Sequence, residues 1–485
     1  MRRILPALIA LTLSSAVANT TWHTITQEKT GKSLSVKLVK LAEGKVTFES
    51  QNGRSYTLPV DTLTTESRAT IDTWWKERAA GAQKITDSIN EAIGHTFISD
   101  GNAIWNDPAE DVARRLRWPR ESKTDDSSSF RAYPRADYRF LGARPYSATL
   151  YGNEKGNTDL ISIVFANKGD FGSTVGRGED HFNNTGGEKP AGSLEEAMER
   201  DANRITSALT KLFGEPARQR FGEKSDRRYV DRWDWNGMAF LLSVADDEYC
   251  SLLITRTEIA DAEGKTDFVK DSDLRAMLAE NVKREDNGDV LITNIPMVDQ
   301  GPKGYCAPAT FERAMRYMHV PADMYLLATV ATSPNGGTNT MLLADEAERI
   351  IRSKARSLKI VKGFDQKFKI RDIQKYIDKG VPVMWMMRSL DPYNKIANSR
   401  TPKREKVTDF TAWATEIANE AEQVAPSLMN VQDNHHICLI IGYNEKTNEV
   451  AVSDSWGPRY ELRWVHLDLA RAVTSHQIGA YVISY

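Results

Sequence analysis

The chain predicts an α+β fold divided among several domains. Its 485 residues exceed what one ordinary domain holds and suggest two to four. Short alternating apolar runs with hairpin turns crowd the first eighty residues. Farther on, helical patterns of period 3.6 alternate with β-branched runs bounded by Gly and Asn.

Residues 1–18 read as a secretory signal. Arg2 and Arg3 form a positive start, Ile4 to Leu13 an apolar stretch, and Ala16-Val17-Ala18 a small-residue cleavage site. That stretch is too short to span a bilayer and no later one is long enough, so no stable membrane insertion is expected. Loss of Arg2 and Arg3 takes the formal net charge from −2 to about −4. The expectation is an exported protein, periplasmic or extracellular, with an uncleaved anchor as the alternative. Apolar residues at 40% allow folded cores, and without a long basic run no nucleic-acid partner is expected. Three cysteines, Cys250, Cys306 and Cys438, make no disulfide scaffold, and an odd count leaves at least one free thiol. Pairing of Cys250 with Cys438 stays open.

Residues 19–80 read as a small β-barrel. Leu34, Val36 and Leu38 alternate with polar residues, and Glu43-Gly44 and Asn52-Gly53 are hairpin turns. Pro59 ends the run, and Leu63 begins a segment leading to Trp74 and Trp75. Residues 84–285 read as an α+β domain. Ser193-Leu194-Glu195-Glu196 is a capping box opening a helix through Met198, Ile205, Leu209 and Leu212, which Gly214 and Pro216 stop. Strands are expected at Leu160 to Phe165, around Trp233 and Trp235, at Met238 to Val244 and at Tyr249 to Thr255. Residues 121–129 read as a Ser/Asp-rich loop and 169–192 as a Gly-rich surface loop. Gly172, Gly176 and Gly178 lack the Gly-Lys-Ser/Thr ending that a phosphate cradle requires. His95 and His181 have no metal-ligand partners at useful spacing, so no metal or cofactor is expected. Whether this domain is an inhibitory pro-segment stays open.

The turn-rich run Lys283 to Gly288 opens a last domain, 286–485, that carries the chemistry. Gly301, Pro302 and Gly304 mark a tight loop. Phe311, Ala314, Met315 and Met318 then form one apolar face of a helix, and Pro308 suits its first turn. Cys306 stands at the junction, where the positive end of a helix favours the thiolate, the nucleophilic form. Ile373 to Asp378 reads as a helix closed by Gly380, followed by a buried strand at Val381 to Met387. An insertion at 389–432 carries a helix around Trp413 to Ala421. His436 to Tyr443 and Glu449 to Asp454 read as a strand pair. A turn centred near residue 445 sets His436 opposite Asp454, with Cβ atoms about 4.5–5.5 Å apart. A carboxylate there fixes the imidazole tautomer and stabilises imidazolium, which stabilises a nearby thiolate. Gln300, six residues before Cys306, offers an amide donor to an oxyanion beside the Cys306 N–H. His435 faces the other side of the strand, Cys438 is expected beneath the site as a core thiol, and His466 and His476 read as structural.

Gln-x5-Cys, His-x5-Gly-Tyr and Asp-Ser-Trp-Gly, in that order, resemble the papain-type cysteine peptidase pattern, and Cys306 and His436 stand 130 residues apart. Tyr-Cys-Ala-Pro-Ala-Thr and His-His-Ile are most similar to the bacterial double-glycine leader peptidase-like branch. The resemblance covers about 290–485 and implies a papain-like domain of helix plus antiparallel sheet. It implies Cys306 as nucleophile, His436 as base, Asp454 as orienting residue, Gln300 as oxyanion donor and Trp456 as a shield of the His–Asp bond. The substrate it implies is a peptide or protein. Asp stands where papain proper has Asn, Gly-Tyr-Cys-Ala replaces Cys-Gly-Ser-Cys-Trp, and 389–432 has no counterpart. Residues 19–80 resemble the SLA-type homology barrel of exported bacterial proteins, which implies peptide or cell-envelope contact or a purely structural module. Two other functions remain: a non-catalytic peptide-binding protein on a peptidase fold, and transglutaminase-like acyl transfer.

Overall fold

The structure is a computed structural model and describes residues 21–99, 101–171, 187, 189–223, 227–265, 268–302, 304–331, 338–429, 431, 434–475 and 478–485. The expected signal through residue 18, Gly172, Gly176 and Gly178 of the Gly-rich loop, His181 and His476 lie outside these. It is a mixed α and β chain built on several sheets.

The first sheet is an antiparallel meander of β1 (His23–Thr26), β2 (Ser33–Ala42), β3 (Lys45–Ser50) and β4 (Ser55–Pro59), ordered β1–β2–β3–β4. Alternation buries Val36, Leu38, Val46 and Phe48 on one face, against Ile71 and Trp74. Both expected turns form, with positive φ at Glu43, Gly44 and Gly53. Among the described residues no ladder joins β4 back to β1; an isolated bridge, Gln27 to Leu63, ties the β1 end to the chain beyond β4. Helix α1 (Thr65–Ile93) runs unbroken through the boundary expected near 80–84. Its Ile71 and Trp74 pack on this sheet, whereas its Ile89 and Ile93 join the next core.

After α2 (Ala109–Leu116), the second sheet uses β5 (Arg120–Lys123), β6 (Ser128–Ala132), β7 (Ser147–Gly152), β8 (Thr158–Asn167), α3 (Leu194–Phe213) and β9 (Ala217–Phe221). It is completed by β10 (Arg228–Trp235), β11 (Met238–Ala245) and β12 (Tyr249–Arg256), followed by α4 (Thr257–Asp261). The antiparallel order is β5–β6–β7–β8–β12–β11–β10–β9. Helix α3 starts where the capping box indicates: the Ser193 hydroxyl accepts from the Glu196 N–H, a contact worth about 1 kcal/mol. Its Met198, Ile205 and Leu209 are buried. The expected loop at 121–129 is instead the hairpin β5–β6 with a short turn. Its inward residues Glu121, Ser122, Ser129 and Arg131 are polar and yet buried. A pattern sought in apolar residues therefore misses it.

The last region contains α5 (Asp271–Glu280), β13 (Val282–Arg284), β14 (Asp289–Ile292), α6 (Cys306–Tyr317), α7 (Met324–Val330), α8 (Thr340–Ser353), β15 (Ser357–Ile360), α9 (Ile370–Ile377) and β16 (Val383–Arg388). There follow α10 (Asp391–Arg404), α11 (Phe410–Leu428), β17 (His435–Asn444), β18 (Glu449–Ser453), β19 (Arg463–His466), α12 (Leu467–Val473) and β20 (Ala480–Ser484). The sheet runs β13–β14–β17–β16–β20–β15, with β18 on β17 and β19 on β18. Helix α6 packs against it through Phe311, Ala314 and Met315, all buried. Burying a side chain such as Phe311 stabilises by about 1.5–3 kcal/mol. The insertion is a pair of helices, α10 and α11, of which the sequence indicates the second. Arg400 of α10 pairs with Glu416 and Glu420 of α11. Arg404 reaches Asp289 of β14 at 2.6 Å and Glu449 of β18 at 2.8 Å.

Candidate active site

Cys306 is the first residue of α6, half-buried, with Pro308 in the first turn as expected. Burial pushes its thiol up. The hydrogen bond and charge of His436, with the N–H groups of Ile437 and Ala307, more than offset that and hold it below an ordinary thiol. Two polar links seat α6 on the strand that carries His436 and the chain that follows Asp454. The Thr310 hydroxyl donates to the Ile437 carbonyl at 3.0 Å and lies 3.4 Å from that of Ser455. The buried Arg313 guanidinium donates to the Ser453 hydroxyl at 2.5 Å and to the Pro296 carbonyl at 3.0 Å.

His436 Nε2 lies 2.5 Å from Asp454 Oδ1, both side chains buried. Nε2 faces the carboxylate, so Nδ1 is the ring nitrogen left to act on Cys306. The pair meets by a different route from the one the spacing predicts. Asn444 faces Glu449 and Leu439 faces Ser453, with a bulge at Ile441, so the ladder stops before Asp454. Continued, that register would set Trp456 across from His436, and the two rings indeed stack at 4.8 Å. Asp454 lies just past β18 and reaches back to His436. The turn is centred beyond 445, which by itself displaces the pairing by three, and the bulge at Ile441 takes one back, so the net displacement is two. Adjacency survives because the chain bends at the strand end.

Arg463 of β19 was not legible in the sequence. Its guanidinium bonds Asp454 Oδ2, stacks near Trp456 and Tyr460, and donates to Asn394 and Asn398 of α10 at 3.0 and 3.3 Å. The carboxylate therefore has a different partner on each oxygen, and α10 touches the site through Arg463.

Gln300 is half-buried, and its backbone N–H donates to the Ser455 carbonyl at 2.8 Å, which stitches its loop to the chain after Asp454. Gly301, with φ of +70°, turns the loop, and its N–H donates to Asp299 Oδ1 at 2.9 Å.

The remaining thiols and imidazoles play other parts. Cys438 is buried, its thiol pushed up to about 12, and Cys250 is pushed higher still by burial, so both are inert. Both are unpaired, which settles the open pairing. His435 is exposed. His95 stacks on Tyr138 at 4.3 Å and bonds the Arg139 carbonyl, and His466 caps α12 by accepting from the Asp468 N–H. Among the described residues, no three His, Cys, Asp or Glu side chains stand close enough to hold a metal ion. Nor, among them, is any helix long and apolar enough to cross a membrane.

The cysteine at a helix start and the imidazole on an adjoining antiparallel sheet stand where the papain-type resemblance expects them. Residues 292–471 match the family model described as the Peptidase_C39 like family, which supports a cysteine-peptidase-type domain in this region. The matched span holds Gln300, Cys306, His436 and Asp454. No curated protein matches the chain.

Proposed function

We propose that the protein is an exported cysteine peptidase that hydrolyses peptide or isopeptide bonds. The observation that carries this reading is the His436–Asp454 pair at 2.5 Å, with His436 holding the thiol of Cys306, at the start of α6, below its ordinary value. Cys306 thiolate attacks the carbonyl carbon. The oxyanion is held by the Cys306 N–H and the Gln300 amide. His436 Nδ1 gives its proton to the leaving nitrogen as the C–N bond breaks, which leaves a thioester. Water then attacks the thioester, its proton passes to His436, and the acid and the thiolate are released. Asp454 keeps the ring oriented throughout and stabilises imidazolium. The signal-like start of the chain supports export, and the four strands at 23–59 are suited to contact with a peptide or the cell envelope.

The test compares the purified protein with Cys306→Ser on a complex peptide mixture, with glycine methyl ester as competing amine. New amino termini from the parent protein alone are expected. Products carrying the added amine would indicate acyl transfer instead. Equal inertness of both proteins with equal peptide binding would replace hydrolysis by a binding role.

A further inference from the structure

The oxyanion loop is held from behind by the middle domain. The strand end β5 and the hairpin β5–β6 with its exit supply hydrogen bonds to three backbone groups of the loop. Ser122 Oγ accepts from the Met297 N–H at 2.9 Å, and Glu121 Oε1 from the Asp299 N–H at 2.7 Å. The Tyr133 hydroxyl donates to the Asp299 carbonyl at 2.7 Å. Its ring covers Gly301 so closely that a Cβ there would overlap it. Burial raises the Tyr133 phenol far above its ordinary value, so it stays a donor. Glu121 is itself fixed by Arg131 at 2.6 Å and Ser129 at 2.8 Å.

Packing agrees with the hydrogen bonds. One apolar cluster joins Tyr146 and Val164 of the middle domain to Val298, within the loop, and to Tyr305, just before Cys306. Beneath it, Glu312 on α6 is fully buried and receives Arg131 at 3.5 Å and the Tyr151 hydroxyl at 3.1 Å. Removing the middle domain would strip this buried carboxylate of two partners and leave part of its charge uncompensated.

Resting on the hydrolase reading above, we propose that the middle domain is a working part of the active site, with Tyr133 and Glu121 as positioning residues for the Gln300 loop. It is therefore not a detachable inhibitory segment. An oxyanion donor contributes only if it is aimed before the charge develops, and the loss of one such donor costs about 10²–10³ in kcat. Tyr133 acts through that donor, so its effect is smaller and vanishes when the donor is gone.

The experiment is a double-mutant cycle on the full chain with Tyr133→Phe and Gln300→Ala. The readouts are kcat, KM and the rate of Cys306 alkylation, which needs no oxyanion site. Tyr133→Phe is expected to lower kcat about tenfold with KM and alkylation little changed, and to add nothing in the Gln300→Ala background. Unchanged kcat, or the same fold loss in both backgrounds, would overturn the brace and leave the hydrolase standing. A Cys306 that alkylates only in the range of an ordinary thiol would overturn the hydrolase, and with it the brace as a catalytic device.

Discussion

Cys306 is subject to two opposed effects: burial favours the neutral thiol, while His436 and two backbone N–H groups favour thiolate, and the second set prevails. Asp454 holds His436 in place, but Arg463 competes for the same carboxylate. Arg463→Gln removes that competing charge, so the carboxylate's field falls more fully on the imidazolium. The alkaline limb of the kcat/KM profile is expected to move to higher pH, while kcat falls because the carboxylate is less firmly held. A pH–rate profile checks it, and a limb that stays put or moves down contradicts the role. Cys306, His436, Asp454 and Gln300 could be singled out because each carries a local signal: a helix start, a Gly-Tyr spacing, an Asp-Ser-Trp-Gly run and a glycine loop. Arg463 carries none, since only the fold brings β19 beside Asp454.

Among the elements, α10 shows how an insertion becomes part of the domain. Arg404 enters a buried cluster with Asp289 and Glu449 and lies over Trp464 at 3.9 Å. Burial works to raise the Asp289 carboxyl, but Arg404, Asn444 and Asn287 hold it below its ordinary value. A depressed carboxylate contributes stability above its unfolded pKa of about 3.9, and that stability is lost as pH falls through the lower folded value. Arg404→Ala leaves both carboxylates buried without a cation, so unfolding by urea near neutral pH is expected to show a loss of about 3–5 kcal/mol. A change below 1 kcal/mol would contradict this anchoring. The same contrast explains what was legible among elements. Helix α3 and strands β8, β10, β11 and β12 declare themselves by apolar period and caps. The hairpin β5–β6 does not, because Glu121, Ser122 and Arg131 are buried against polar partners in the last region, and Ser129 against Glu121 within the hairpin.

At the scale of the molecule, the sequence divides into segments more cleanly than the structure does. Helix α1 serves two cores, and the middle domain shares a core and a buried ion network with the peptidase-type domain. Boundaries drawn from composition find where patterns change, whereas side chains such as Tyr133 and Glu312 act across them. The proposed hydrolysis begins at one thiol, Cys306, whose ionisation His436 favours. The most direct measurement is the rate of Cys306 alkylation by iodoacetamide against pH, with the modified cysteine identified by peptide mass. Selective modification of Cys306 is expected to persist well below the ordinary thiol pKa of about 8.5, and to lose that acid reach in His436→Ala. Modification confined to pH values near or above 8.5, unchanged by His436→Ala, would contradict the thiolate–imidazolium pair and the peptidase built on it.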